Sequence, residues 1–488
     1  MTKNKLCSLL KCAPPVGADF TITHVTEDSR RARSGSLFIA VRGEAQDGHA
    51  FAKQAVEAGA AAVAGNQSGL DSLEGVPYIF VSRPRAAAGL VAHALSDNPS
   101  RAMTTIGITG TNGKSSTACL VQAMLNQAGH RCANFGTIGY YIGDEEIPAA
   151  HTTPFGEDLA DIFSQARKAG MSHVAMEASS HALEQDRVAG IEINVAAFTN
   201  LTQDHLDYHQ DMAAYCNAKL KLFQTLPETG VSVVNTDDPA AQQFLDAAPG
   251  TTITYGKTGD CRASRVVTDL QQTTFSLESP WGSGEARIHL LGKHNVANAL
   301  CAVAISGGLG LSFAEIVEGL SALPLVPGRF EPVSAGQDFH VIVDYAHTDD
   351  GLRNVLEAAR KICKGKIITV FGCGGDRDKN KRPKMGMAAG TLSDYVILTS
   401  DNPRTEDPLR ILLDAEVGLQ RSGKAKDEGY RVIQDRAEAI HAALLHARPG
   451  DLVMIAGKGH EDYQILGTER IHFDDREIAR TILEELLS

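Results

Sequence analysis

The residues best placed to do chemistry form the run Gly107-Ile108-Thr109-Gly110-Thr111-Asn112-Gly113-Lys114-Ser115-Ser116-Thr117. It follows a short apolar strand pattern at 104–109 and opens a helical pattern at 115–128. In that context small residues let the backbone wrap phosphates, while amide N–H groups and a helix N-terminus supply positive potential. Lys114 is expected to reach the β- and γ-phosphates, and Ser115 to ligate Mg²⁺. The strict phosphate-loop pattern leaves four residues between its first Gly and the Gly-Lys pair. Here Gly107 leaves five. Alone, the loop says only that nucleotide phosphates bind.

A second centre follows. Glu177 ends the apolar run 174–177 and leads into Ala178-Ser179-Ser180-His181. A carboxylate at a strand's C-terminal end faces the crevice where open α/β sheets bind ligands. A further run, 195–200, ends at Asn200 and leads to Thr202, Asp204-His205-Leu206-Asp207 and His209. Both strand ends are expected to converge on the loop. Glu177 and His205 are candidate Mg²⁺ or Mn²⁺ ligands. A structural role is the alternative for His205, and His209 reads as a surface or supporting residue. Lys219 lies in Ala218-Lys219-Leu220-Lys221-Leu222-Phe223, whose default is an amphipathic helix with solvated lysines. Late in the chain, Asp401-Asn402-Pro403-Arg404 follows a strand pattern at 395–399. Pro403 restrains that turn. The guanidinium fork of Arg404 matches a carboxylate.

These groups need a scaffold. Apolar runs at 37–41, 62–64 and 76–81, with helical patterns at 51–61 and 86–95, give a first small α/β domain over 1–99. Asp97-Asn98-Pro99-Ser100 punctuates its end. Strand patterns at 104–109, 174–177, 195–200 and 230–235 alternate with helices and predict a parallel βα domain over 100–327. Within it, 252–291 reads as a local antiparallel patch before a helix after Gly292. Strand patterns at 341–345, 366–371, 395–399 and 452–456, with helices at 352–361 and 437–446, predict a third α/β domain over 328–488.

A chain of 488 residues suits about three domains. With 46 Lys and Arg against 59 Asp and Glu, its net charge is −13. That argues against a general nucleic-acid coat, though not against a local basic pocket. Nine Cys without a Cys-x-x-Cys pair fit reduced thiols. No secretory leader or long apolar run is read, so a cytoplasmic protein without membrane insertion is expected.

Taken together, Gly107–Thr117, Glu177–His181, Asp204–His209, Ala218-Lys219, Asn295, Asp344-Tyr345-Ala346-His347-Thr348 and Asp401–Arg404 resemble the Mur ligases of peptidoglycan synthesis. The likeness spans essentially the whole chain and is nearest to the diaminopimelate-adding members. It implies a three-domain α/β fold with a central P-loop ATPase domain and a C-terminal Rossmann-like domain. Gly110, Thr111, Asn112, Gly113, Lys114, Ser115, Ser116, Asn295, Arg329 and Asp344 then match ATP-binding positions. A hinge arginine is the plain alternative for Arg329. Ser29, in Asp28-Ser29-Arg30, matches the uridine-side segment. Thr152, Thr153, Ser179, Gln185 and Arg187 match positions holding the muramoyl peptide, although a surface ion pair would also explain Arg187. Arg377, Asp401, Asn402, Pro403, Arg404, Gly457 and Glu461 match the amino-acid site. Without the resemblance, Gly457-Lys458-Gly459-His460-Glu461 could be a second phosphate turn.

Lys219 changes meaning most. Its family counterpart is carbamylated, and the carbamate joins Ser115, Glu177 and His205 in the metal set. Lys114, Glu177, His205 and Lys219 are thus the implied catalytic group. The implied reaction adds meso-2,6-diaminopimelate to the D-glutamate of UDP-MurNAc-L-Ala-D-Glu, using ATP and Mg²⁺ through an acyl phosphate. Its product serves cell-wall synthesis, and with it cell shape and division. No nucleic-acid partner is implied, and a monomer is expected. A folylpolyglutamate synthase or the next ligase of the pathway would share the loop, but 28–30 and 401–404 argue against both. A non-catalytic nucleotide-binding regulator would not need Glu177, His205 and Lys219 together. A small-molecule kinase would leave phosphate on its acceptor.

Overall fold

A computed structural model describes residues 1–15, 19–43, 46–269 and 271–487. Three sheets of mostly parallel strands follow one another along the chain, each with helices on its faces. The first orders its strands His24–Thr26, Ser36–Ala40, Ala60–Gly65, Val76–Phe80 and Ser72–Leu73. Ser36–Ala40 is buried along its whole length, which explains its unbroken apolar run. The helical pattern at 51–61 is only partly realised. A 3₁₀ turn at Gly48–Phe51 leads into a helix at Ala52–Glu57, and a strand starts at Ala60. Gly59, at φ +105°, turns the chain beside the Ser34 backbone. The alanines beyond it then pack into the sheet, so tertiary fit overrides their helix propensity.

The central sheet has eight strands. Their order is Thr251–Tyr255, Val231–Asn235, Val195–Phe198, Thr104–Thr109, His173–Glu177, Cys132–Phe135, Tyr140–Ile142 and Glu145–Ile147. The last two form an antiparallel tail on an otherwise parallel sheet. Thr251–Tyr255 runs parallel to Val231–Asn235, so it does not belong to the antiparallel patch expected from residue 252. That patch is the separate sheet Arg262–Thr268, Thr273–Ser279 and Gly282–Ile288. The patch starts later than expected because one edge strand adds to the main sheet before the chain leaves it.

Register matters more than order. Glu177 pairs with Ile108, and Phe198 with Thr109. Three strands therefore end at one level, and the loops leaving them share a crevice.

The third sheet orders Glu331–Pro332, His340–Asp344, Leu452–Ala456, Ile367–Phe371, Tyr395–Leu398 and Tyr430–Val432. Asp344 and Phe371 both pair with Ala456, and Phe371 with Leu398. The segments after them thus gather at one edge. A hairpin, Tyr463–Leu466 with Glu469–His472, lies beside that edge. All nine cysteines are free thiols. No helix among the described residues is long and apolar enough to cross a membrane.

One buried ion pair ties the edge together. Arg436 and Asp475 both have 0% side-chain exposure, and the guanidinium donates to both carboxylate oxygens at 2.7 Å. Arg436 also donates to the carbonyls of Ser400 and Ala456, at two strand ends. Asp475→Asn leaves a buried cation without its counter-charge. It is expected to cost about 3 kcal/mol or more, seen as a lowered thermal midpoint. A midpoint equal to wild type would show that the pair holds nothing.

Candidate active site

The phosphate loop is shaped by two glycines. Gly110 lies at φ +152° and Gly113 at φ +86°. A Cβ on Gly110 would overlap the Thr199 hydroxyl, and one on Gly113 the Asn298 amide oxygen. The neighbouring strand end pins the loop. Thr111 N–H donates to the Asn200 carbonyl at 2.9 Å, and Asn112 N–H to the Asn200 side chain at 2.9 Å. Thr199 Oγ1 donates to the Asn112 carbonyl at 2.6 Å.

Two lysines converge on one carbonyl. Lys114 Nζ donates to Gly110 O at 2.9 Å and Thr111 O at 2.8 Å. Lys219 Nζ donates to the same Gly110 O at 2.8 Å and lies 4.3 Å from the Tyr215 ring centroid. Lys219 is 1% exposed. Burial, then the Lys114 charge, pushes its amine well below the usual lysine range. Burial also lowers Lys114, against the pull of Glu177 and Asp204. The pattern at 218–223 is therefore not a solvated face at Lys219: this side chain points inward.

Glu177 sits at the crevice as expected. Thr137 N–H donates to Oε1 at 2.8 Å and Thr137 Oγ1 to Oε2 at 3.1 Å. Thr137 carried no sequence signal, since it joins Glu177 only through sheet register. Thr137 Oγ1 also meets Thr152 Oγ1 at 3.0 Å. Thr153 donates to the Glu177 carbonyl at 2.8 Å and accepts from Ser179 N–H at 3.1 Å. Arg187 donates to the Thr153 carbonyl at 2.9 Å and to Gln185 Oε1, and lies 4.2 Å from the Phe155 ring centroid. Thr152, Thr153, Ser179, Gln185 and Arg187 are thus one connected surface. Among the described residues no carboxylate is hydrogen-bonded to Arg187.

His205 pairs with Asp204 at 3.4 Å and packs against the His181 ring, centroids 4.7 Å apart. Burial pushes it well below the usual histidine range, against the pull of Asp204, and so favours the uncharged ring that can ligate a metal. His209 meets Ser180 Oγ at 2.9 Å, a supporting contact. No group of three or more His, Cys, Asp or Glu among the described residues forms a ready-made metal site.

The third sheet closes over this crevice. Arg329 donates to Ser115 Oγ at 3.2 Å and stacks 4.3 Å from the Tyr345 ring. Asn112 donates to Asp350 at 2.9 Å, and Gln203 to Asp378 at 3.0 Å. Asp204 lies 3.6 Å from Lys381 Nζ and 3.7 Å from His347 Nε2. Although burial opposes its charge, His205, Lys381 and His347 keep Asp204 well below the usual carboxylate range. The resulting cleft is lined by the loop, Glu177, Asn295, Asn298, Arg329, Asp344 and Tyr345. Asn295 donates to the Leu291 carbonyl and accepts from Asn298. Both oxygens of Asp344 accept backbone N–H groups, from Phe330 and Ala346, each at 2.7 Å. Asp344 therefore anchors the segment carrying Arg329.

Ser29 lies far along the chain from these groups, in a cleft between the first sheet and the helix Gly156–Lys168. It donates to Gln54 at 2.8 Å. At the third sheet's edge, Asn402, Arg404, Gly457 and Glu461 come together. Arg404 Nη1 donates to Gly375 O at 2.8 Å, and Asn402 Nδ2 to Glu461 at 2.9 Å. Asp401 is buried behind them, and Gln464 donates to its carbonyl at 2.7 Å. Arg377 donates to the Asp376 carbonyl at 2.8 Å.

Three family models match the chain in succession: "Mur ligase family, catalytic domain" over 21–95, "Mur ligase middle domain" over 108–306 and "Mur ligase, glutamate ligase domain" over 328–459. The chain is 43% identical to a UDP-N-acetylmuramoyl-L-alanyl-D-glutamate–2,6-diaminopimelate ligase of Bacillus licheniformis, covering 100% of both. It is 42% identical to the ligase of the same name from Syntrophomonas wolfei, covering 95% of each. A solved structure of a ligase of that name superposes with a TM-score of 0.68 at 34% identity, covering 96% of both chains.

Gly113→Ala adds a strained φ and an overlap with Asn298. It is expected to weaken Mg²⁺·ATP binding about tenfold or more, measured by calorimetry. Unchanged affinity would contradict a phosphate role for this turn.

Proposed function

This chain belongs to the Mur ligase family, and from that premise we propose that it is an ATP-dependent ligase adding meso-2,6-diaminopimelate to the D-glutamate of UDP-MurNAc-L-Ala-D-Glu. Full-length similarity at 43% identity to a ligase of that name is the observation that carries the proposal. The fold is the three-domain α/β fold of the family, with a P-loop ATPase domain at its centre. Its domains are proposed at 1–99, 100–327 and 328–488, each built on one main sheet. Action in the cytoplasm follows from the precursor it would extend.

In this proposal Ser29 and the connected surface of Thr152, Thr153, Ser179, Gln185 and Arg187 hold the UDP-muramoyl peptide. Arg187 offers its charge to a substrate carboxylate or diphosphate. The loop amides and Lys114 take the nucleotide phosphates, and Arg329 adds a second cation from the closing domain. Ser115, Glu177, His205 and a carbamate on Lys219 are the groups available to hold Mg²⁺. Ser115 and Glu177 both line the cleft and, with phosphate oxygens, would offer the hard oxygen donors that Mg²⁺ takes. The Lys219 amine also fits carbamylation, since attack on CO₂ needs an uncharged amine and burial favours that form. Mg²⁺, when bound, would offset charge on the transferred phosphoryl group.

The γ-carboxylate of D-glutamate attacks the γ-phosphorus of ATP, forming an acyl phosphate and releasing ADP. The uncharged amine of diaminopimelate then attacks the acyl carbon, phosphate leaves, and the nitrogen gives up one proton as the amide forms. Closure by Arg329, Asp350, Lys381 and His460 keeps water from that reactive intermediate. Arg404 suits the distal carboxylate of diaminopimelate and repels the bare ammonium of lysine.

Mass spectrometry of reactions containing ATP, Mg²⁺, UDP-MurNAc-L-Ala-D-Glu and either diaminopimelate or L-lysine tests this. A tripeptide product with diaminopimelate and little with lysine is expected. No condensation with either would overturn the proposal. Lys114→Ala is expected to lower the rate about 10²-fold or more, and near-wild-type turnover would contradict the role of Lys114.

A further inference from the structure

The Gly-Lys-Gly turn at 457–459 could be read as a second phosphate loop, but its lysine points the wrong way. Gly457 lies at φ +119° and Gly459 at φ +55°. These left-handed positions fold the backbone so that Lys458 turns inward, to 0% exposure. Its Nζ donates to Glu461 Oε2 at 3.0 Å and to Asn402 Oδ1 at 3.3 Å, and lies 3.8 Å from Asp401 Oδ1. The Tyr463 ring covers it at 5.3 Å. An ammonium already surrounded by two carboxylates and an amide oxygen has no reason to take a phosphate.

The two carboxylates are not equivalent. Asp401 is buried, and Gly457 approaches so closely that a Cβ there would lie 2.8 Å from Asp401 Oδ2. Glu461 is less enclosed, with 14% of its side chain exposed. Its Oε2 accepts from Lys458 and from Asn402 Nδ2 at 2.9 Å. Among the described residues its Oε1 makes no hydrogen bond. Asn402 is itself fixed, accepting Ile465 N–H at 3.0 Å.

We propose that Lys458 is a positioning residue of the amino-acid site: it locks Glu461 so that one carboxylate oxygen faces the incoming substrate's distal ammonium. The proposal rests on the reading of this edge as the diaminopimelate site. Lys458, with Arg436 and Arg404 behind it, offsets the buried Asp401, and Glu461 is the carboxylate left to meet an ammonium. Removing it takes away the cation bonded to Glu461 Oε2, while Arg436 and Arg404 still face Asp401. Glu461 is then held only by the Asn402 amide, and its carboxylate is free to turn away from the site. The loss is therefore of orientation at the amino-acid site, and the ATP and UDP-substrate sites keep their geometry.

Steady-state kinetics of the full-length enzyme test this with Lys458→Met, Glu461→Gln and the double variant. Lys458→Met is expected to raise KM for diaminopimelate about tenfold or more, the scale of a lost charged hydrogen bond, with kcat and the other two KM values within about threefold. In the Glu461→Gln background the same change is expected to add less than about threefold, because Lys458 acts through Glu461. An unchanged KM in Lys458→Met overturns the proposal, as does a full additional effect in the double variant. Should Lys458→Met fail to fold, Glu461→Gln is compared with Lys458→Met/Glu461→Gln, in which the Lys458–Glu461 charge pair is removed as a unit. Equal KM values for those two support the proposal, and a tenfold gap overturns it. A wild-type protein that makes no diaminopimelate adduct fails the underlying function first, and this inference falls with it.

Discussion

Two lysine side chains donate to the carbonyl of Gly110, and one of them is almost entirely enclosed. A pair of cations sharing one neutral acceptor in a buried site is unfavourable. The pair is relieved in two ways, by losing a proton or by gaining an anion. Lys114 lines the open cleft, where nucleotide phosphate would supply the negative charge. Lys219 lies behind it, and burial drives its amine toward the uncharged form. The loop, its lysine and the lysine behind it are therefore one electrostatic unit, and the rest of the fold serves to bring ligands to it.

The sheets accomplish that by register. Glu177 lies level with Ile108 and Phe198 with Thr109, so a carboxylate and a pinned loop flank the phosphate turn without any long side chain having to reach. The third sheet repeats the device, with the segments after Asp344, Phe371, Leu398 and Ala456 at one edge. Contacts across the crevice then couple the two edges. Asp204 is held between His205 of its own domain and Lys381 and His347 of the next. Arg329 reaches Ser115, and Asp344 anchors the segment Arg329 springs from. The contacts that join the two domains thus also complete the lining of the cleft.

Legibility in the sequence follows the range of each interaction. The phosphate loop, Glu177 and Asn200 can be read because each sits at the end of a strand visible in its own pattern. Thr137 and Asp350 cannot, since only register and domain closure bring them to Glu177 and Asn112. Lys219 is hidden for a different reason. Its helix alternates apolar and basic residues like a surface helix, and only the packing of that helix behind the Gly110 turn makes the lysine face inward. Resemblance, not periodicity, singles it out. The helix expected at 51–61 is cut short because alanine suits both helix and small-residue strand, and Gly59 decides between them. The strand at 251–255 joins a different sheet from the one expected because strand propensity does not name a partner.

Burial favours the uncharged form of the Lys219 amine, and the proposed function has that amine take up CO₂ as a carbamate. Carbon-13 NMR of the protein equilibrated with ¹³C-labelled bicarbonate tests it directly. One carbamate resonance is predicted in the wild-type protein, retained in Lys114→Met and absent in Lys219→Met. A wild-type spectrum without that resonance at saturating bicarbonate would contradict the electrostatic role given to Lys219.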